Sequence, residues 1–313
     1  MPGSPKIYRF SVGGLEKNTL GLAADVGQTS ASNATLQGLR VLGANSVFLA
    51  GDLSYADGFL YAWDRFGIFQ EASYGSVVPT IACPGDHEVW FGEQFVQYSA
   101  RFAPNGMGYR SHNIGLVHIV SINTYESFQK GTSQYRWIEE DLSRVDRTTT
   151  PWVIVMGHDP MYYSNKQYSM QSSIPDYRIL ILKENLEGLW HRYRVDIYLN
   201  GRVHACERTK PIYRNASQPC GTIYITAGVW SNNEGENSEW FEKPERSAFC
   251  SDNFGYGSLK VENATHALLE WYRNDCQNAT SAVPCKNQTS KLLDKTWIVR
   301  GQPECACGTG DSK

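Results

Sequence analysis

The sequence predicts an α/β protein, with βαβ units forming a largely parallel sheet and a later strand-rich part forming a mixed or second sheet. Short apolar runs alternate with segments of helical period through much of the chain. Several of these runs break at a glycine that sits beside a carboxylate or an imidazole. Towards the C-terminus the helical segments give way to strand-like runs and a hairpin pattern.

The elements follow in chain order. "NTLGLAADVG" (18–27) has the pattern of a buried strand ending in Asp-Val-Gly, and "NATLQGLRVLGA" (33–44) has helical spacing. "SVFLAGDLSYADG" (46–58) is a strand running into a loop, "AWDRFGIFQEASYG" (62–75) is helical, and "SVVPTIACPGDHE" (76–88) is again strand and loop. "EQFVQYSARF" (93–102) predicts a helix and "IGLVHIVSINTY" (114–125) a strand. "SQYRWIEEDLSRV" (133–145) is an amphipathic helix with Ser133 as its cap. The strand "PWVIVMGHDP" (151–160) precedes a long helix, "PDYRILILKENLEGLWHRYR" (175–194), that starts near its proline. "VDIYLNGRVH" (195–204) and "GTIYITAG" (221–228) are strands, and "FGYGSLKVENATHALLEWYRND" (254–275) is a hairpin with a sequon near its turn. Residues 276–313 turn polar and Cys-rich and are expected to form a loop-like, disulfide-held tail.

A length of 313 residues suits one large domain or two small ones. Net charge is −3 and no run of like charge stands out, so no nucleic-acid or anionic-membrane partner is expected. No apolar run reaches the roughly 18–20 residues of a transmembrane segment. The opening "MPGSPKIYRF" has no hydrophobic signal core, which suggests a mature or truncated form. Eight cysteines and five N-x-[ST] acceptors (Asn33, Asn215, Asn263, Asn278 and Asn287) point to a disulfide-bearing glycoprotein that is secreted or lies in an endomembrane or vacuolar lumen. Eight cysteines allow 105 pairings. Cys206 with Cys220 is one of them, and buried free thiols are the other reading.

Chemistry in open α/β sheets gathers at the carboxyl ends of the strands. Those ends carry Asp25, then Asp52 and Tyr55, then Asp86, His87 and Glu88, then His158, then Arg202 and His204. Gly27, Gly51, Gly85, Gly157 and Gly201 stand among them and permit tight turns. A single aspartate after a strand is ordinarily a turn or cap residue. Five successive ends with such groups indicate a shared metal site. His112, His118, His191 and His266 lie away from these loops and read as structural or surface residues.

The set DVG (25–27), GDLSY (51–55), GDHE (85–88), GHDP (157–160) and GRVHACER (201–208) resembles the metallophosphoesterase superfamily. The tyrosine of GDLSYAD and the stretch from GTIYITAG to the hairpin resemble the purple acid phosphatases of the plant high-molecular-weight type. The resemblance implies two packed mixed β-sheets flanked by helices over residues 16–275. "KIYRFSVGG" resembles the last strand of the fibronectin-like domain of that group, making residues 1–15 its remnant. A first metal, Fe(III), would take Asp25, Asp52, Tyr55 and His204. A second metal (Zn, Mn or Fe(II)) would take Asp52, position 86, His158 and position 202. The pair would activate water and clamp a phosphate ester, with Asp52 shared and His87 beside the phosphate as a proton donor or as a support to the groups that hold the metals.

The chain departs from that pattern at the second metal. The family has Asn at position 86 and His at 202, where this chain has Asp86 and Arg202. A carboxylate only accepts hydrogen bonds and repels phosphate. A guanidinium has no lone pair and stays charged. Its charge about 4 Å from a divalent ion costs roughly 8 kcal/mol at an effective dielectric near 20. Arg202 is therefore expected to occupy part of the second position, pairing with Asp86 and with Asp52. The histidines that the family carries soon after GHDP are also missing from "MYYSNKQYSM" (161–170). Two functions follow: a phosphate monoester hydrolase of weakened activity, or an inactive scaffold with a protein partner or a homodimeric assembly. Glu207 and Arg208 are expected to hold their loop by hydrogen bonds.

Overall fold

The computed structural model describes residues 18–103, 108–168, 176–228, 238–274 and 290–301. Residues 1–15, Asn278, Asn287 and the four cysteines after residue 275 lie outside them.

Strand alternation builds the centre of the molecule. Along β6 (Trp152–Met156), Trp152, Ile154 and Met156 join the core between two sheets, while Val153 and Val155 face helices. The first sheet takes β1 (Asn18–Ala23), β2 (Ser46–Ala50) and β3 (Thr80–Cys83) in parallel. It continues antiparallel through β13 (Gly255–Val261), β14 (His266–Asn274) and β15 (Ser290–Val299). The second has β5 (Val117–Ser121), β6, β7 (Ile197–Asn200) and β11 (Ile223–Ala227) in parallel. Antiparallel edges close it: β4 (Arg110–Ile114) on one side, and β8 (Cys206–Thr209) with β12 (Ser247–Ser251) on the other. A two-residue ladder, β9 (Ile212–Tyr213) with β10 (Ala216–Ser217), stands apart. Both sheets are thus mixed, as expected.

Helices cover the outer faces. In α4 (Ser133–Ser143), Tyr135, Ile138 and Leu142 lie at helical spacing on the second sheet. Leu182, Leu186 and Leu189 of α5 (Tyr177–Arg192) join them there. On the first sheet, α1 (Ser30–Val41) lays Gly38 against the ring of Tyr256, where a β-carbon would stand 2.1 Å from ring carbon. Beyond α1 lies α2 (Leu60–Gln70), which ends in a π-helical turn, Glu71–Gly75. A short α3 (Val96–Phe102) completes the set.

Several local expectations shift. The cap of α4 is Thr132, whose hydroxyl accepts from the Tyr135 amide at 3.3 Å, so Ser133 is the first helical residue. Thr29 caps α1 in a reciprocal pair with Ser32, starting that helix at Ser30, before the 33–44 pattern. The tail is not all loop: Ser290–Val299 is a strand paired with β14 along its length. Cys206 is a buried free thiol and Cys220 is disulfide-bonded, so the two are not joined to each other.

Arg208 on β8 donates to Asp294 on β15 through two nitrogens, at 2.8 and 3.1 Å, tying one sheet to the other. Both side chains are largely buried. Arg208→Ala strands the Asp294 carboxylate, and a loss of about 2–3 kcal/mol is expected in chemical denaturation. A change below about 0.5 kcal/mol would show that the pair is only a surface contact.

Candidate metal centre

The carboxyl ends of β1, β2, β3, β6 and β7 meet at one end of the two-sheet core, and their loops bring the strand-end residues together. Asp25 and His158 are fully buried, and Asp52, Asp86, His87, Arg202 and His204 nearly so. Asp25, Asp52, Tyr55, Asp57 and Arg202 all have positive φ between 50° and 65°. Each costs on the order of 1–2 kcal/mol for a non-glycine residue. Strain gathered at one spot marks a site that the surrounding fold holds in place.

Donor atoms converge around the Tyr55 phenol. Its oxygen stands 3.4 Å from Asp25 Oδ1, 3.4 Å from Asp52 Oδ2 and 3.4 Å from His204 Nε2. Donors around one small cation, with bonds of about 2.0–2.1 Å, stand roughly 3.0–3.4 Å apart. The three distances from Tyr55 lie at the upper end of that range, and His204 Nε2 stands 3.7 Å from Asp25 Oδ1.

Asp52 also reaches the other way. Its Oδ2 is 3.1 Å from His158 Nε2, while its Oδ1 accepts from the His87 amide at 3.0 Å. His158 Nε2 further lies 3.2 Å from Asp86 Oδ1 and 3.8 Å from Asp25 Oδ1, with no hydrogen bond of good geometry. Its Nδ1 bonds the Ala50 carbonyl at 2.7 Å, which fixes the ring and aims Nε2 into the cluster. Burial opposes charge on His158, but Asp52 and Asp25 overcome it and hold the imidazole well above its usual range. Burial is the largest influence on Asp25 and pushes its carboxyl up. Asp86 goes down, its burial outweighed by the nearby His158 imidazole and the Arg202 guanidinium.

Two loops are clamped beneath the cluster by Glu88. Its carboxylate accepts from the amides of Asp52 (2.9 Å), Leu53 (2.9 Å) and Gly85 (2.8 Å). Position 85 has to be glycine, because a β-carbon there would stand 2.1 Å from Asp52 Oδ1. His87 turns its Nδ1 to Asp57 Oδ1 at 2.5 Å and stacks on Phe91, with ring centroids 5.3 Å apart.

The second set does not fit a cation. The Arg202 guanidinium lies directly against Asp86, the residue that would ligate there. It also donates to the Tyr125 hydroxyl at 3.2 Å and to Asp176 at 3.1 Å, with Asp159 Oδ1 3.4 Å from its Nε. Asp25 accepts from the Arg202 backbone amide, at 3.1 and 3.2 Å. The pairing with Asp86 is as expected; the remaining carboxylate partners are Asp159 and Asp176, where Asp52 was expected.

Sequence reasoning missed Asp57, Tyr125, Asp159, Asp176 and Arg178. Some signal for them existed. Asp57 and Asp159 stand inside the GDLSYADG and GHDP motifs, and Tyr125 follows a strand end that was passed over. Glu207 does hold its loop, accepting from the amide and hydroxyl of Ser164 at 2.6 Å each. His118 bonds Asn113 and Asp141, and His191 stacks on Tyr213, both away from the cluster.

Known proteins resemble this chain in sequence and in fold. The calcineurin-like phosphoesterase model matches residues 19–206, and the iron/zinc purple acid phosphatase-like protein C model matches residues 221–281. The chain is 35% identical to the probable purple acid phosphatase 20 of Arabidopsis thaliana, over 91% of this chain and 66% of that protein. It is 33% identical to the Fe(3+)-Zn(2+) purple acid phosphatase 12 of the same plant, over 90% of this chain and 65% of that one. The chain thus spans under two thirds of the length of these relatives. A purple acid phosphatase from yellow lupin (Lupinus luteus) seeds superposes with a TM-score of 0.77 at 25% identity, covering 90% of this chain and 54% of the lupin chain. With the catalytic-domain match covering more than half its length and the C-terminal match following in order, the chain belongs to the purple acid phosphatases of the calcineurin-like phosphoesterase family.

Proposed function

We propose that the chain hydrolyses phosphate monoesters with reduced turnover, around an Fe(III) held by Asp25, Asp52, Tyr55 and His204. The observation that carries this reading is the placement of the Tyr55 oxygen at 3.4 Å from each of the other three donors. Oxygen donors and a phenolate suit a hard trivalent iron. When bound, the iron supplies Lewis acidity to a phosphate ester. The chain's own groups do the rest. Asp52 spans from the Tyr55 side to the His158 side, and the His87 amide holds its other oxygen. Asp57 orients His87 through Nδ1, which supports a role for its Nε2 in delivering a proton to the leaving oxygen.

Colour tests the metal reading directly. A phenolate bound to Fe(III) absorbs visible light, so the iron-loaded protein should be coloured. Tyr55→Phe should remove the band while leaving the far-ultraviolet circular dichroism unchanged. A band that survives in Tyr55→Phe would place the iron elsewhere.

A second reading, a fold retained as a binding scaffold without turnover, is favoured by the engaged Arg202. Under it the protein is colourless, inert and held by a protein partner. The choice rests on activity, taken up with Asp52 below.

Location in a secreted or vacuolar compartment is part of the proposal. Asn215 and Asn263 lie exposed at turns, as glycan acceptors must. Asn33 sits half-buried on α1 with Thr35 of its sequon fully buried, a poorer position. No helix among the described residues is long and apolar enough to cross a membrane.

A further inference from the structure

We propose that a network of two arginines and three aspartates, centred on Arg202, permanently replaces the second cation, leaving a centre that takes one metal. This rests on the metal reading of the Tyr55 cluster above, and the test separates the two.

Among the described residues, two buried groups have metal-ligand geometry: Asp25 with Asp52 and His158, and Asp52 with Asp86 and His87. In the second group His87 already turns its Nδ1 to Asp57. Asp86 Oδ1 is met at once by Arg202, by the Tyr125 hydroxyl at 3.1 Å and by His158 at 3.2 Å. An oxygen has few lone-pair directions, and these neighbours crowd the ones facing the cluster.

Nor is the guanidinium loosely placed. Its side chain is 7% exposed, and its nitrogens face Asp86, Asp159, Asp176 and Tyr125. Aromatic rings enclose its faces, with Tyr168 4.4 Å and Trp90 5.7 Å from the guanidinium carbon. Arg178 interleaves with the same carboxylates, 3.0 Å from Asp176 and 3.6 Å from Asp159, and stacks 4.4 Å over Tyr125. A planar fork can serve several carboxylates at fixed angles, which a mobile ammonium cannot do. A metal at this position would have to displace the guanidinium from Asp159 and Asp176 as well as from Asp86. Swinging Arg202 away would also uncover Asp159, which is fully buried. Its terminal nitrogens donate to Asp86, Tyr125 and Asp176, while Nε faces Asp159 at 3.4 Å without a hydrogen bond.

The test uses chelator-stripped full chain titrated with Zn(II) alone, read by equilibrium dialysis with elemental analysis and by thermal midpoint. The native chain should take a single equivalent of zinc. The double variant Arg202→His with Asp86→Asn should take a second. Arg202→Met, near in volume and uncharged, should lower the metal-free midpoint by several degrees, because three buried carboxylates lose one of their cationic neighbours. Two equivalents in the native chain overturn the proposal. So does a folded double variant that gains none, or an Arg202→Met midpoint equal to the native one. A native chain that takes no zinc, with a double variant that gains an equivalent, supports the replacement and shows that the Tyr55 cluster does not hold zinc, so that its iron reading then stands or falls on the visible band.

Discussion

Asp52→Asn is expected to lower hydrolysis of a chromogenic phosphate monoester at pH 5 by at least about 10³-fold, roughly 4 kcal/mol of barrier. The reason is geometric. Asp52 Oδ2 is the oxygen that stands near both Tyr55 and His158, while Oδ1 accepts from the His87 amide. Asparagine supplies one oxygen and one NH2 in the same shape. With the oxygen kept on the His87 amide, the NH2 faces the cluster and offers no lone pair. Flipped, the NH2 meets the His87 N–H, donor against donor. Either way the anionic donor shared by the two sides is lost. Metal content should fall with activity, and circular dichroism should not change. Native activity that exceeds background and persists within threefold in Asp52→Asn would place the chemistry elsewhere. A native protein with no activity at all would favour the scaffold reading.

Glu88→Ala is expected to cost about 4 kcal/mol of stability and to lower the thermal midpoint by about 8 °C or more. Three buried amides, those of Asp52, Leu53 and Gly85, lose their acceptor together. Each orphaned amide costs about 1–3 kcal/mol. The loss falls where two metal-site loops are joined, so metal affinity should drop as well. Burial first, and then the Asp52 charge, push the Glu88 carboxyl from its ordinary 4.5 up to about 7. Its protonated form is therefore favoured in the folded state. The stability this group contributes is present below about pH 4.5 and is lost as pH rises through about 7. Glu88→Gln should remove that slope. A midpoint within 2 °C of the native one in Glu88→Ala would mean that water satisfies the three amides.

Much of the site was legible without coordinates. Asp25, Asp52, His158 and His204 each follow an apolar strand and a tight turn, and parallel strands bring such ends to one edge. The resemblance added Tyr55 and the division into two metal positions. The edge strands β4, β8, β12 and β15 were less visible. In β15, Ser290–Val299, half of the alternating side chains are polar or charged and much of the strand is exposed. Such a strand is recognised by the partner it pairs with more than by its own pattern.

By itself the sequence determined the central strands and their succession along the chain, the glycine turns, the residues at the strand ends and the anomaly at Arg202. These follow from local propensity and hydrophobic period, which neighbouring residues specify. Only the tertiary structure decided what Arg202 does. Its partners lie far along the chain, Asp86 at a separation of 116 residues, Tyr125 at 77 and Asp176 at 26. No local pattern links them. They meet because the parallel strands deliver separate loops to one end of the core, where a buried charge must find opposite charge or be excluded.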